Sequence, residues 1–208
     1  MHYPAGVRID KKKDVYYGNR GMTLENDLND TNNYYLIHDI AVVHKKPTPI
    51  TINRVDYKSR SDAIIREARF KIPSTTDYNG IYKGKYIDFE AKETKSKTSF
   101  PLSNIHQHQI DHLRSIINHG GIAFIIVRFI CFNETYYLDA NDLFSFLDNN
   151  DRKSIPYSFF KEKGHLILDR YNPRIDYISV IDSLYFKEVV WQIVRKKLVL
   201  RKVLIKKI

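Results

Sequence analysis

Asp77, Glu90 and Lys92 are the residues of this chain whose types and spacing could do chemistry. With Lys83-Gly84 as a two-residue turn, Tyr82 faces Lys85, and counting outward sets Asp77 opposite Glu90. Directly opposed residues hold their Cβ atoms about 4.5–5.5 Å apart. Two carboxylates at that separation can share one divalent cation, whose oxygen ligands for Mg²⁺ lie at about 2.0–2.1 Å. Strand alternation turns Asp88, Glu90 and Lys92 to one face and Ile87, Phe89 and Ala91 to the other, the core face. In outline this is a hard-metal site with an ammonium beside it. The same residues also describe a solvated polar face with cross-strand ion pairs, and Asn79-Gly80 is a competing turn signal.

The elements that must position these residues can be read along the chain. Residues 1–17 are basic, carry Pro4 and Gly6, and read as a mobile arm. Asn19 to Asn33 predicts a helix, Tyr34 to Val43 a strand and Ile50 to Tyr57 a second strand, with Pro47-Thr48-Pro49 breaking the pattern between them. Ser59 to Ile72 fits either a helix capped by Ser61 or an extended ribbon. Thr75 to Lys92 predicts a hairpin, and Asn104 to His119 a helix stopped by Gly120-Gly121. Ile122 to Phe132 predicts a buried strand that encloses Cys131. A helix over Ala140 to Asn149 follows, then helix and strand over Tyr157 to Asp169. That order implies an α/β fold with a mixed sheet.

At 208 residues the chain suits one domain with an excursion, and 43% hydrophobic with 28% charged residues is ordinary for a globular protein. No stretch is long and apolar enough to span a bilayer, and the start lacks a secretory h-region. One cysteine excludes an internal disulfide and fits a reducing cytoplasm. The net charge of +10 favours an anionic partner such as nucleic acid. Its distribution is uneven. Residues 187–208 hold eight basic and one acidic residue, +7, which leaves +3 for the rest.

Thr75-Thr76-Asp77-Tyr78-Asn79-Gly80 followed by Ile87-Asp88-Phe89-Glu90-Ala91-Lys92-Glu93-Thr94 resembles the signature of the PD-(D/E)xK nucleases, and more narrowly the RecU family of junction resolvases. Lys97 to Leu102, Ile105 to Ile110 and Gly18-Asn19-Arg20-Gly21 extend the resemblance to about residues 14–186. Thr76 rather than proline precedes Asp77, as in RecU-type sequences. The resemblance implies a restriction-endonuclease-like core, a mixed sheet flanked by helices with a protruding stalk. It implies Mg²⁺, with Mn²⁺ able to substitute, on Thr75, Asp77, Glu90 and Gln109, and a transition-state-stabilising role for Lys92. Glu25 falls where related resolvases place an acid; a solvated helix acid is the other reading.

The segment from Lys45 to Pro73 is where the family carries its stalk. Eight basic residues there face three acids, and Arg54, Lys58, Arg60, Arg66, Arg69 and Lys71 are candidate DNA contacts. Arg8, Lys11, Lys12, Lys13 and Arg20 are further candidates in the amino-terminal segment. The expected organisation is an arm over 1–17, a nuclease domain over 18–186 with the stalk at about 45–73, and a basic tail of unassigned role over 187–208. His108 and His112 have the spacing of a zinc pair but lack a third and fourth ligand. The expected function is a Mg²⁺-dependent endonuclease resolving four-way (Holliday) junctions as a cytoplasmic homodimer. Recombinase and branch-migration proteins are further candidate partners, and no membrane is expected. The alternatives are another PD-(D/E)xK endonuclease and a non-catalytic basic nucleic-acid-binding protein.

Overall fold

The computed structural model describes residues 23–57, 59, 62–71 and 75–186. The basic arm, the tail, and Arg8, Lys11, Lys12, Lys13, Arg20, Lys58 and Arg60 lie outside the described residues. Helix α1 (Leu24–Ile37) starts at Thr23, whose hydroxyl accepts from the Asn26 N–H. It runs through Tyr34–Ile37, where the residue types predict a strand. Leu24, Leu28, Thr31 and Tyr35 form one buried stripe at helical spacing, so burial decides over the β-favouring composition. Strand β1 (Val42–Lys45) follows. Next, β2 (Ile50–Asp56) and β3 (Ile64–Phe70) pair antiparallel as a two-stranded ribbon that joins no other sheet, so the ambiguous segment takes its extended alternative.

The expected hairpin is β4 (Tyr78–Tyr82) and β5 (Lys85–Thr94), paired from Tyr82 opposite Lys85 to Tyr78 opposite Phe89. Lys83 and Gly84 both take positive φ, 47° and 75°, as a tight two-residue turn requires. Asn79-Gly80 lies inside β4 instead. A Cβ on Gly80 would stand 2.2 Å from the Val42 carbonyl oxygen, so the glycine lets β1 lie against β4. Strand β6 (Ser99–Pro101) and a short 3-10 turn lead into α2 (Gln107–Asn118), which ends before Gly120 at φ 79°. Strand β7 (Ile122–Phe129) then pairs with β5 in parallel.

Strand β8 (Glu134–Asp139), helix α3 (Ala140–Asp148), strand β9 (Ser154–Pro156), helix α4 (Tyr157–Lys163), strand β10 (His165–Ile167) and helix α5 (Tyr177–Tyr185) complete the chain. The main sheet has the order β1-β4-β5-β7-β8-β10. Its β5–β7 pair is parallel, crossed over by α2, and its other pairs are antiparallel. Cores lie on both faces. Leu28, Tyr35, Phe89, Phe124 and Tyr177 pack on the α1/α5 side; Ile125, Val127, Leu113, Leu143 and Phe160 pack on the side of α2, α3 and α4. This is the expected α/β fold, a mixed central sheet flanked by helices. Strand β7 stops at Phe129, so Cys131 falls in the turn into β8. The thiol expected to be buried is exposed and donates to the Lys95 carbonyl at 2.9 Å.

Candidate active site

Strand β5 lies between β4 and β7 and is buried on both faces over Ile87–Glu90. Phe89 stacks between Tyr78 and Phe124, with ring centroids 4.8 and 4.7 Å apart, and Phe124 stacks in turn on Tyr137 at 4.3 Å. That aromatic row fixes the strand from the α1/α5 side. The opposite face carries Asp88, Glu90 and Lys92, as alternation predicts. Asp77 lies one residue before β4, where its backbone N–H donates to Glu90 Oε2 at 3.1 Å. Thr75 and Asp77 thus sit in the segment entering β4, so the strand starts at Tyr78 and not at Thr75, where the expected hairpin begins.

The acids and the lysine converge. Lys92 Nζ pairs with Glu90 Oε1 and stands 3.8 Å from Asp77 Oδ2. Glu90 is fully buried, while the Asp77 side chain is 39% exposed and so reaches solvent. Burial pushes the Glu90 carboxyl up to about 8; the hydrogen bond and charge of Asp77 push the same way, and Lys92 opposes them. Two carboxylates this close, with the Lys92 ammonium beside both, suit a hard divalent cation. Glu90 Oε1 is buried and has Lys92 as its one cationic partner among the described residues, leaving lone pairs for such an ion. No three His, Cys, Asp or Glu side chains among the described residues form a ready cage, so water, backbone or phosphate would complete the coordination.

A cleft of ≈ 440 Å³ opens beside this group, lined by Glu25, Asp77, Tyr78, Lys92 and Glu93 among others. Glu25 is thus on the wall of this cleft. It pairs with Lys45 at 2.5 Å, and its side chain is still largely exposed. Gln109 is buried in the first turn of α2, and its amide oxygen accepts from the His106 N–H at 2.9 Å, a capping-box bond. His108 and His112 form no zinc pair: His108 stacks on His106, and His112 Nε2 lies 3.2 Å from Asp88 Oδ2. Of the candidate DNA contacts within the described residues, Arg54, Arg66 and Arg69 lie on the exposed ribbon and Lys71 just past it. Arg66 pairs with Asp56 at 2.6 Å.

Sequence reasoning assigns no role to Glu93 or Arg128. Glu93 Oε1 accepts from the Leu24 N–H at 2.7 Å and so fixes the start of α1, next to Glu25. Arg128 and Arg174 each hold buried Asp27 at 2.7 Å, tying α1 to β7 and to the segment before α5. A charged Arg128 in an otherwise apolar strand was the one legible signal of this network.

A mixed sheet whose central hairpin presents two acids and a lysine is what the sequence resemblance to the PD-(D/E)xK nucleases implies. The chain matches the family RecU, Recombination protein U, over residues 19–183 and belongs to that family. It is 62% identical over 195 residues to the Holliday junction resolvase RecU of Geobacillus sp. (strain WCH70), covering 88% of this chain and 97% of that protein. It is 56% identical over 197 residues to the Holliday junction resolvase RecU of Bacillus cytotoxicus, covering 89% and 98%. A solved structure of Archaeoglobus fulgidus Hjc, a Holliday junction resolvase, aligns at a TM-score of 0.41 and 12% identity over 69% of this chain and 93% of the other, too distant to carry any residue across.

Proposed function

We propose that this chain is a Mg²⁺-dependent endonuclease that resolves four-way DNA junctions by paired symmetric nicks in recombination and repair. The observation that carries the reading is the convergence of Asp77, Glu90 and Lys92 beside an open cleft in a chain of the RecU family. Relatives covered over nearly their whole length bear the name of Holliday junction resolvases. Asp77 and Glu90 would hold the cation, with Thr75 beside them; Gln109 would join only by sharing the oxygen that now caps α2. When bound, Mg²⁺, or Mn²⁺ in its place, supplies a water of lowered pKa and neutralises charge on the phosphate. Lys92 would donate to a phosphoryl oxygen as negative charge develops there. Glu25, 55% exposed in its side chain, lies on the cleft wall where it can orient a water or the entering strand.

Resolution requires two nicks on strands of like polarity, which a two-fold homodimer supplies with two symmetric sites. The ribbon β2–β3, exposed along both strands, is the part of the chain suited to the junction's central opening, with Arg54, Arg66, Arg69 and Lys71 toward phosphates. The enzyme would act on DNA in the cytoplasm, alongside recombinase and branch-migration proteins. Among the described residues no helix is long and apolar enough to cross a membrane. Purified protein incubated with a synthetic four-way junction or a linear duplex, in Mg²⁺ or in EDTA, tests the reading. Paired nicks on the junction in Mg²⁺ alone are expected. Binding without cleavage in Mg²⁺ would leave a non-catalytic binder, and equal cutting of the duplex a nuclease of different selectivity.

A further inference from the structure

The face of β5 that carries Glu90 and Lys92 begins with a third charged residue, Asp88, which is fully buried. A carboxylate in that position is costly unless each oxygen has partners. Here both do. Asp88 Oδ2 accepts from Lys46 Nζ at 2.8 Å and from the Tyr86 hydroxyl at 3.0 Å, and lies 3.2 Å from His112 Nε2. Asp88 Oδ1 accepts from the Thr76 hydroxyl. Lys46 Nζ also donates to Thr76 Oγ1 at 2.9 Å, and its backbone N–H donates to the Asp77 carbonyl at 2.8 Å. Thr76 and Lys46 therefore hold the backbone on both sides of the Asp77 Cα, and both hang on one buried anion. Lys46 is also the residue after β1 at which the chain leaves for the ribbon, so the ribbon's foot and the metal acid share one anchor.

We infer that Thr76 and Lys46, fixed by buried Asp88, are positioning residues that set Asp77 in register with Glu90 for catalysis. The inference rests on the nuclease reading above. Asp77 lies outside the β4 ladder, and the described hydrogen bonds of its backbone run to Lys46 and to Glu90 itself. Its placement thus depends on this cluster more than on the sheet. A misplacement of about 1 Å at a reacting centre can cost about a hundredfold in rate. None of the three residues lines the cleft, so junction affinity should not depend on them.

The test compares wild type with Thr76→Val and Thr76→Ser, by single-turnover cleavage of a saturated four-way junction across a Mg²⁺ titration and by junction binding in Ca²⁺. Cleavage by wild type first establishes the nuclease reading, so a failure there is distinguishable from a failure of this inference. Thr76→Val, which keeps the shape and loses the hydroxyl, should cut roughly ten- to a hundredfold more slowly, the scale of such a misplacement. It should need more Mg²⁺ for half-maximal rate and bind the junction as wild type does. Thr76→Ser should restore most of the rate. Lys46→Met, which keeps the aliphatic stem, should reproduce the Val phenotype and serves if Thr76→Val does not fold. A folded Thr76→Val, or in its place Lys46→Met, with wild-type rate and Mg²⁺ dependence would overturn the inference. So would a Ser variant as impaired as Val.

Discussion

Hairpins β4–β5 and β2–β3 have opposite physics. In β4–β5, Tyr78, Tyr82 and the run Ile87–Glu90 are buried, and Phe89 sits in a row of stacked rings. In β2–β3, every residue is exposed except Asp56, including Ile50, Ile52, Ile64, Ile65 and Phe70. The first is held from both faces and has one register. The second departs from regular register between Ile52 and Val55 and joins no other sheet. Metal chemistry needs carboxylates fixed to fractions of an ångström, and a buried strand supplies that. A surface that must enter DNA needs reach and exposed apolar and basic groups, and such a ribbon supplies that.

The largest contrast should appear in stability. Phe89→Ala should cost about 3–5 kcal/mol, the range for emptying a buried aromatic site, whereas Ile52→Ala on the ribbon should stay within about 0.5 kcal/mol. Urea unfolding of both variants measures this; comparable losses would mean the ribbon packs on something. Next comes Lys92→Ala, which should slow cleavage by about two to three orders of magnitude while binding falls little, because one phosphate contact of many is lost. A collapse in affinity with unchanged rate on bound junction would make Lys92 a binding residue.

Replacing residues 50–70 by a short Gly/Ser linker should spare the main sheet, since closing a shorter loop costs little entropy. It should bring junction and duplex affinity close to parity, leaving weak, salt-sensitive binding. Competition curves at two salt concentrations, with circular dichroism for folding, decide it; undiminished selectivity would move recognition elsewhere. The smallest effect concerns Glu90 in EDTA. Its carboxyl is raised above the unfolded value by burial and then by Asp77. That stability is fully present below the unfolded pKa and is lost as pH rises toward about 8. Asp77→Asn should flatten the fall in unfolding free energy between pH 5 and 8.5 by an amount on the order of 1 kcal/mol, measured by urea unfolding; an unchanged slope would mean that Asp77 does not act on the Glu90 carboxyl.

The sequence made some of this legible for definite reasons. Lys83-Gly84 sets the β4–β5 register, and alternation then aligns Glu90 with Lys92. Gly120 ends α2, and the apolar run of β7 marks a strand covered on both faces. Other parts needed tertiary information. Helix α5 is Tyr-Ile-Ser-Val-Ile at its start, types that favour strands. It is helical because Asp176 caps it and Tyr177, Ile178 and Ile181 enter the core. Cys131 looked buried because its neighbours are apolar, yet a turn intervenes. Gln109 carries two readings, ligand and cap, that spacing cannot separate. Asp88 was placed on the correct face, but its partners Lys46 and His112 come from 42 and 24 residues away.

The central claim is that Asp77 and Glu90 serve chemistry and not affinity. It is tested most directly by Glu90→Gln beside wild type, with junction binding in EDTA and single-turnover cleavage in Mg²⁺ measured on the same preparations. The account predicts binding at least as tight as wild type, since a carboxylate near phosphates is gone, and no detectable cleavage. Wild-type cleavage by the variant would contradict it and remove Glu90 from the site.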